Sequence, residues 1–164
     1  MYRTLPLVPF FLVLLTLCIA TSALAENRVA LVVGNSGYAE SIHATAINDA
    51  QLMAKTLDAL GFDVLLMFDC NKMALATAVS AFMQKISSGD LVFLYYSGHI
   101  AQVEGVNYLL PLRTTIETAQ NVEDQAVDLG TIMFNIDMAC PGKAIVVLES
   151  GQDNFLSQKE GIGI

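Results

Sequence analysis

The chain has 164 residues, enough for a single domain, and it contains no internal repeat or low-complexity tract. It carries 16 acidic and 8 basic side chains, so its formal net charge is −8 at pH 7. This acidic balance argues against nucleic acid and anionic membranes as partners. It suits a cationic ligand, or a peptide or protein that presents a basic residue.

The N-terminal segment is typical of a secretory signal peptide. Arg3 precedes an apolar stretch over residues 7–19, which is too short to span a bilayer comfortably. The small residues that a signal peptidase requires follow it, so we expect cleavage after Ala25 and a secreted or periplasmic mature domain over residues 26–164. The alternative is an uncleaved membrane anchor, which would be the expected route to a membrane.

The mature chain alternates strand and helix patterns. Predicted strands cover residues 28–34, 62–68, 91–96 and 143–148, and predicted helices cover 46–60, 72–86 and a segment from Asp128, its cap, to Pro141-Gly142. A small hairpin over 102–110 is predicted to turn at Glu104-Gly105. Because strands and helices alternate, we expect right-handed crossovers and a mainly parallel sheet with helices on both faces. The last predicted helix carries the following apolar residues: Leu129, Ile132, Met133 and Ile136.

Two cysteines remain in the mature chain. Cys70 follows the second predicted strand and Cys140 precedes the fourth, so they belong to opposite edges of the sheet. A strand of six or seven residues is about 20 Å long, whereas the Cα atoms of a disulfide lie within about 7 Å. We therefore expect unpaired thiols. His43 and His99 lack paired carboxylates, so no metal site and no cofactor is expected.

The third predicted strand ends in the most informative stretch of the chain. Its run of apolar and aromatic residues from Leu91 to Tyr96 is typical of a strand buried on both faces of a parallel sheet, and Ser97-Gly98-His99 follows directly. Ligands meet open α/β sheets at the carboxyl ends of the strands. His99 is therefore a candidate functional residue, and a loop histidine without a task is the alternative.

Several segments, in the same order, resemble the bacterial caspase-like proteins of peptidase family C14, the orthocaspases and metacaspases. These segments are Arg28–Tyr38, Ile47–Ala50, Leu60–Asp63, Tyr95–His99, Asn107–Pro111 and Val147–Phe155. The resemblance covers the mature chain and implies an α/β, caspase-like three-layer sandwich that carries a cysteine endopeptidase site. Family members continue beyond the fourth strand, so the resemblance also implies that C-terminal strands are missing. The fourth strand is then expected to be an open sheet edge, which invites self-association.

The resemblance makes His99 the histidine of a Cys/His dyad and puts the nucleophile at Gly151. In caspases the histidine precedes the cysteine by about 50 residues. Where the family usually has Leu-Asp-Ala-Cys-Arg-Asp-Asn, this chain has Leu148-Glu-Ser-Gly-Gln-Asp-Asn154. Glycine has no nucleophilic side chain, so we expect a non-catalytic pseudoprotease with a binding or regulatory task. A hydrolase that uses another nucleophile such as Ser150, or a truncated remnant, remains the alternative.

The resemblance also implies a specificity pocket for Arg or Lys, formed by Asp49, Ser97 and Glu149. Glu149 replaces the usual aspartate and is one methylene longer, which changes the size of the pocket. Asp49 has an alternative interpretation as a surface acid of its helix.

The oxyanion donors implied by the resemblance are backbone N–H groups, those of Gly98, Ile100 and Gly151. Ile100 replaces the usual glycine after the histidine. Its N–H is kept, but its β-branched side chain disfavours unusual backbone angles and is expected to crowd the cleft.

Overall fold

The computed structural model describes residues 27–38 and 45–150. The expected signal peptide with its cleavage site, His43 and the nucleophile position Gly151 lie outside these residues. Within them, no helix is long and apolar enough to cross a membrane.

Seven strands and four helices make up the described part of the chain. In order they are β1 (Arg28–Gly34), α1 (Ala46–Ala59), β2 (Asp63–Phe68), α2 (Lys72–Met83), β3 (Leu91–Ser97), β4 (Ile100–Val103), β5 (Val106–Leu109), α3 (Ala119–Gln125), β6 (Val127–Asp128), α4 (Leu129–Ala139) and β7 (Ala144–Glu149). The predicted strands and the first two predicted helices are confirmed, with ends that move by a few residues. The sequence pattern does not predict α3 or β6, since both are short and α3 buries only one side chain, that of Val122.

The central sheet has four parallel strands in the order β2-β1-β3-β7. One face packs against α1, and the other packs against α2 and α4. This arrangement confirms the predicted α/β sandwich with a mainly parallel sheet. A second, antiparallel sheet has the order β4-β5-β6, and its first hairpin turns at Glu104 and Gly105, both of which have positive φ.

Local signals set the ends of the helices. The Asn71 side chain accepts a hydrogen bond from the Ala74 N–H at 2.9 Å, which caps α2. The Asp128 side chain accepts one from the Gly130 N–H at 2.7 Å, which confirms the predicted cap of α4. After α1 the chain turns through Gly61, at φ 83°, as expected of a residue that follows a helix.

Gly34 lets α1 approach the sheet closely. A Cβ atom at this position would lie 2.6 Å from the Ala46 carbonyl oxygen and 2.7 Å from the Ala50 Cβ. Neither neighbour is the end of a flexible side chain, so only glycine fits. The first turn of α1, which carries Asp49, is thereby brought next to the carboxyl end of β1.

Cys70 and Cys140 are buried free thiols at opposite ends of the sheet. Cys70 follows β2, and Cys140 lies at the end of α4 just before β7. Within the described residues the two thiols therefore occupy the separated places that the sequence predicts.

The last helix, α4, buries three of the four apolar residues named for it in the sequence. The buried side chains of α4 are Leu129, Ile132 and Ile136, while Met133 is 48% exposed. Beside it, α4 and β7 leave further apolar side chains exposed: Phe134, Met138, Ile145 and Leu148. A groove of about 440 Å³ runs between α4 and β7.

Candidate functional site

The carboxyl ends of three neighbouring strands form one row of residues. Ser97, the last residue of β3, pairs with Gly34 on one side and with Glu149 on the other. The backbone bonds continue past the row, since the Asn35 N–H donates to the Ser97 carbonyl at 2.8 Å and the Gly98 N–H donates to the Glu149 carbonyl at 3.0 Å. This row fixes where the predicted site residues lie.

His99 is buried directly beyond the row, with 3% of its surface exposed. Its backbone N–H donates to the Tyr38 hydroxyl at 3.0 Å. The two rings are in contact, with centroids 4.0 Å apart and planes tilted by 57°. Its carbonyl accepts a hydrogen bond from the Leu110 N–H at 3.0 Å. The candidate histidine is therefore held by both its backbone and its ring.

A neutral hydroxyl network supports His99 from one face of the sheet. The hydroxyls of Tyr38 and Tyr96 donate to the Leu110 carbonyl at 2.7 and 2.6 Å, and they lie 3.2 Å from each other. The Asn35 side chain donates to the Tyr96 hydroxyl at 3.4 Å. Burial raises the pKa of both tyrosines, that of Tyr96 well above its ordinary value, so both phenols stay protonated.

Gly98 is required by this network. A Cβ atom at residue 98 would lie 2.6 Å from the Tyr38 hydroxyl and 3.0 Å from the Tyr96 hydroxyl. A larger residue would push the Tyr38 ring away from His99. The glycine of the Ser-Gly-His segment therefore has a packing reason in this fold.

Asp49, Ser97 and Glu149 lie at the same edge of the sheet, on the side of α1 and Tyr95; we call these four residues the acidic cluster. The Tyr95 hydroxyl donates a short hydrogen bond to Glu149 Oε2. Tyr95 and Ser97 are buried, Asp49 is half-buried and Glu149 is exposed.

The electrostatics of Tyr95 report on the same neighbours. Burial raises its pKa, and the hydrogen bond and charge of Glu149 raise it further. The charge of Asp49 adds to this effect, whereas the Ser97 hydroxyl lowers the pKa. The phenol therefore keeps its proton at neutral pH.

Two other candidate nucleophiles, Cys70 and Ser150, lie outside the acidic cluster. Cys70 follows β2, which β1 separates from β3, and its pKa is raised by burial and by the charge of Asp69. It is therefore a protonated thiol away from His99. Ser150 is exposed and is the last described residue, one position before Gly151.

Of the predicted oxyanion donors, the Gly98 N–H is already bonded to the Glu149 carbonyl, and Ile100 is half-buried at the start of β4. The Gly98 N–H would have to leave that bond to reach a ligand. Within residues 27–38 and 45–150, no group of three or more His, Cys, Asp or Glu side chains is arranged to hold a metal ion.

Sequence reasoning gave no role to Tyr38 or Tyr95, although both belong to the segments that carry the resemblance. The strand pattern does indicate Tyr95, because residues two apart in a strand share a face and Tyr95 precedes Ser97 by two positions. The contact of Tyr38 with His99 joins residues far apart in the chain, and no local pattern predicts it.

Comparisons with known proteins agree with this architecture. The model of the Caspase domain family (Peptidase C14) matches residues 27–161. Mucosa-associated lymphoid tissue lymphoma translocation protein 1 of Homo sapiens is 30% identical over 90 residues, which are 54% of this chain and 11% of that protein. Its Mus musculus homolog matches over the same shares, also at 30% identity.

A solved structure shares the fold. The crystal structure of protein GSU0716 from Geobacter sulfurreducens superposes with a TM-score of 0.53 at 17% sequence identity, covering 76% of this chain and 49% of that one. The chain thus spans about a tenth of the two curated relatives and about half of the solved protein. Because the family model matches most of its length, the chain belongs to the caspase domain family, peptidase family C14.

Proposed function

We propose that the chain is a non-catalytic caspase-type domain that binds a basic side chain, Arg or Lys, of a peptide or protein in the acidic cluster. The observation that carries the proposal is the alignment of Ser97 with Glu149 at the carboxyl ends of β3 and β7, where the Tyr95 hydroxyl donates to Glu149. The close approach of α1 to Gly34 brings the helix turn that carries Asp49 to the same edge. In the proposed site both carboxylates would face a bound cation, which their charges attract. A guanidinium or an ammonium supplies that charge together with several hydrogen-bond donors.

The absence of catalysis is proposed from the sequence at the nucleophile position. Peptide hydrolysis by this family's chemistry needs a thiolate that attacks the carbonyl and an imidazole that moves the proton. Gly151 carries no such group. Without a nucleophile beside it, His99, which is buried against Tyr38, would not act as a base in peptide hydrolysis.

A binding experiment tests this function. Calorimetric titration with a peptide that ends in arginine should give a higher affinity than titration with the matched citrulline peptide, which has the same shape without the charge. Because the cluster is partly exposed, salt should weaken the binding of the arginine peptide and leave the binding of the citrulline peptide unchanged. Glu149→Gln should remove most of the preference, whereas Cys140→Ser, at the other end of the sheet, should keep it. Equal affinities in the unmodified chain would contradict the proposal.

A second copy of the chain is the partner that we propose for the exposed apolar edge. In the described part of the chain β7 is an edge strand, and Ile145 and Leu148 are 46% and 38% exposed there. An edge strand offers unpaired backbone groups to another chain. Sedimentation should show self-association that Ile145→Lys weakens, and a stable monomer at high concentration would contradict it.

Secretion or export to the periplasm is proposed from the N-terminal sequence alone. Its basic start, apolar stretch and small residues before Glu26 favour cleavage after Ala25. N-terminal sequencing of the exported protein should begin at Glu26. An intact N-terminus on a membrane-bound product would favour the uncleaved anchor instead.

A further inference from the structure

Tyr95 takes part in the acidic cluster from a rigid position. It lies in β3, between β1 and β7, where its register partners are Val32 and Val147. Only 3% of its surface is exposed. A buried aromatic side chain has few accessible rotamers, so the place of its hydroxyl is fixed by the sheet.

Glu149 is the opposite kind of residue. It is exposed at the end of β7, and a long, solvated side chain of this kind samples many rotamers, which a ligand must then order. The Tyr95 hydroxyl binds Oε2 of its carboxylate. The other oxygen, Oε1, takes no part in this bond. One oxygen is therefore held and the other is left for a ligand.

The register explains why a glutamate suits this contact. Glu149 pairs with Ser97, whereas Tyr95 pairs with Val147, so the bonded side chains are diagonal neighbours across the two strands. Two residues along a strand span about 6.6 Å. The tyrosine side chain and the glutamate side chain are together long enough to bridge this distance. An aspartate at residue 149, one methylene shorter, would fall short of the hydroxyl.

We propose that Tyr95 is a specificity-determining positioning residue. Its hydroxyl holds Glu149 so that the second carboxylate oxygen faces, together with Asp49, the basic side chain of a bound peptide. This inference rests on the proposed function and assigns Tyr95 its task within it. The phenol keeps its proton at neutral pH, so it donates to the carboxylate without cancelling its charge.

Affinity ratios test the inference. In calorimetric titrations of the full chain with the arginine and citrulline peptides, Tyr95→Phe should lower the ratio of the two affinities about tenfold, through the arginine peptide alone. Tyr108→Phe is the matched control, because it removes a hydroxyl from β5, outside the acidic cluster, and it should leave the ratio unchanged. A wild-type ratio in Tyr95→Phe would overturn the inference.

A double-mutant cycle tests the pairing of the two side chains. Glu149→Asp should lower the ratio by a similar factor, and the double variant Tyr95→Phe/Glu149→Asp should lower it no further. Both groups act through one hydrogen bond, so the second change has nothing more to remove. Losses that multiply would show that Tyr95 acts independently of Glu149 and would overturn the pairing.

A measurement without ligand separates this inference from the function on which it rests. NMR relaxation of the Glu149 side-chain methylene groups should show an ordered side chain in the wild type and in Tyr108→Phe, and a mobile one in Tyr95→Phe. Equal mobility in all three overturns the inference alone, even where arginine is preferred. A wild-type chain without any preference for the arginine peptide overturns both proposals.

Discussion

Tyr95 and Tyr96 are neighbours in β3, yet their hydroxyls end in opposite surroundings. Successive side chains of a strand point to opposite faces. On one face the Tyr96 hydroxyl lies in a neutral, buried network with Tyr38 and the Leu110 carbonyl. On the other, the Tyr95 hydroxyl binds the exposed carboxylate of Glu149. One face therefore supports the histidine, and the other presents charge to a ligand.

The largest effect is expected from Gly34→Ala, which breaks the α1 face alone. The added Cβ would meet the Ala46 carbonyl and Ala50, so α1 must move and carry Asp49 with it. We expect a loss of about 3 kcal/mol in the free energy of unfolding, as for overpacked cores, together with a weaker preference for arginine.

Gly37→Ala is the control for this change. Its nearest non-neighbouring atom is a terminal methyl of Leu112 at 3.3 Å, which can give way. Urea denaturation should therefore show a much smaller loss. Equal losses in the two variants would mean that close packing against α1 is not what Gly34 provides.

Tyr96→Phe and Tyr95→Phe sharpen the comparison by separating stability from binding. Removing the Tyr96 hydroxyl takes a donor from a buried carbonyl, so we expect a loss of about 1–2 kcal/mol of unfolding free energy with the arginine preference kept. Removing the Tyr95 hydroxyl frees an exposed carboxylate, which water can solvate, so we expect about 0.5 kcal/mol or less. Denaturation and calorimetry on both variants check this, and a reversed pattern would contradict the division between the faces.

Some of these features can be predicted from the sequence and others cannot. The period-two pattern predicts that Tyr95 and Ser97 share a face, and the alternation of strands with helices predicts the parallel sheet that aligns Ser97 with Glu149. The Tyr38–His99 contact joins residues 61 positions apart in the chain, so no local pattern predicts it. Hydropathy alone does not distinguish the exposed Met133 from its buried neighbour Ile132, because both side chains are apolar.

The smallest effect on the free energy of unfolding is expected from alkaline pH, and it involves tyrosines on both faces of the sheet. The pKa values of Tyr38, Tyr95 and Tyr96 are raised, burial being the largest cause for each. Below about pH 10, the ordinary pKa of tyrosine, the phenols stay protonated in both the folded and the unfolded chain. Their contribution to the free energy of unfolding is then fully present.

As the pH rises past that value, the unfolded chain releases its protons first and the free energy of unfolding falls. The raised pKa of the Cys70 thiol acts in the same direction, starting from a lower pH. Urea denaturation between pH 8 and pH 11, values chosen to bracket the tyrosine pKa of about 10, should show this decline, less steep in Tyr96→Phe. A stability that does not change over this range would contradict the burial of these phenols.

The central claim is that the carboxyl edge of the sheet binds a basic side chain without cutting the peptide. NMR titration of the chain with an arginine-ended reporter peptide measures both at once. We expect progressive shifts at Asp49, Ser97 and Glu149 while the peptide stays intact through prolonged incubation. Cleavage that is lost in His99→Ala would contradict the absence of catalysis, and a spectrum without shifts at the acidic cluster would contradict the binding.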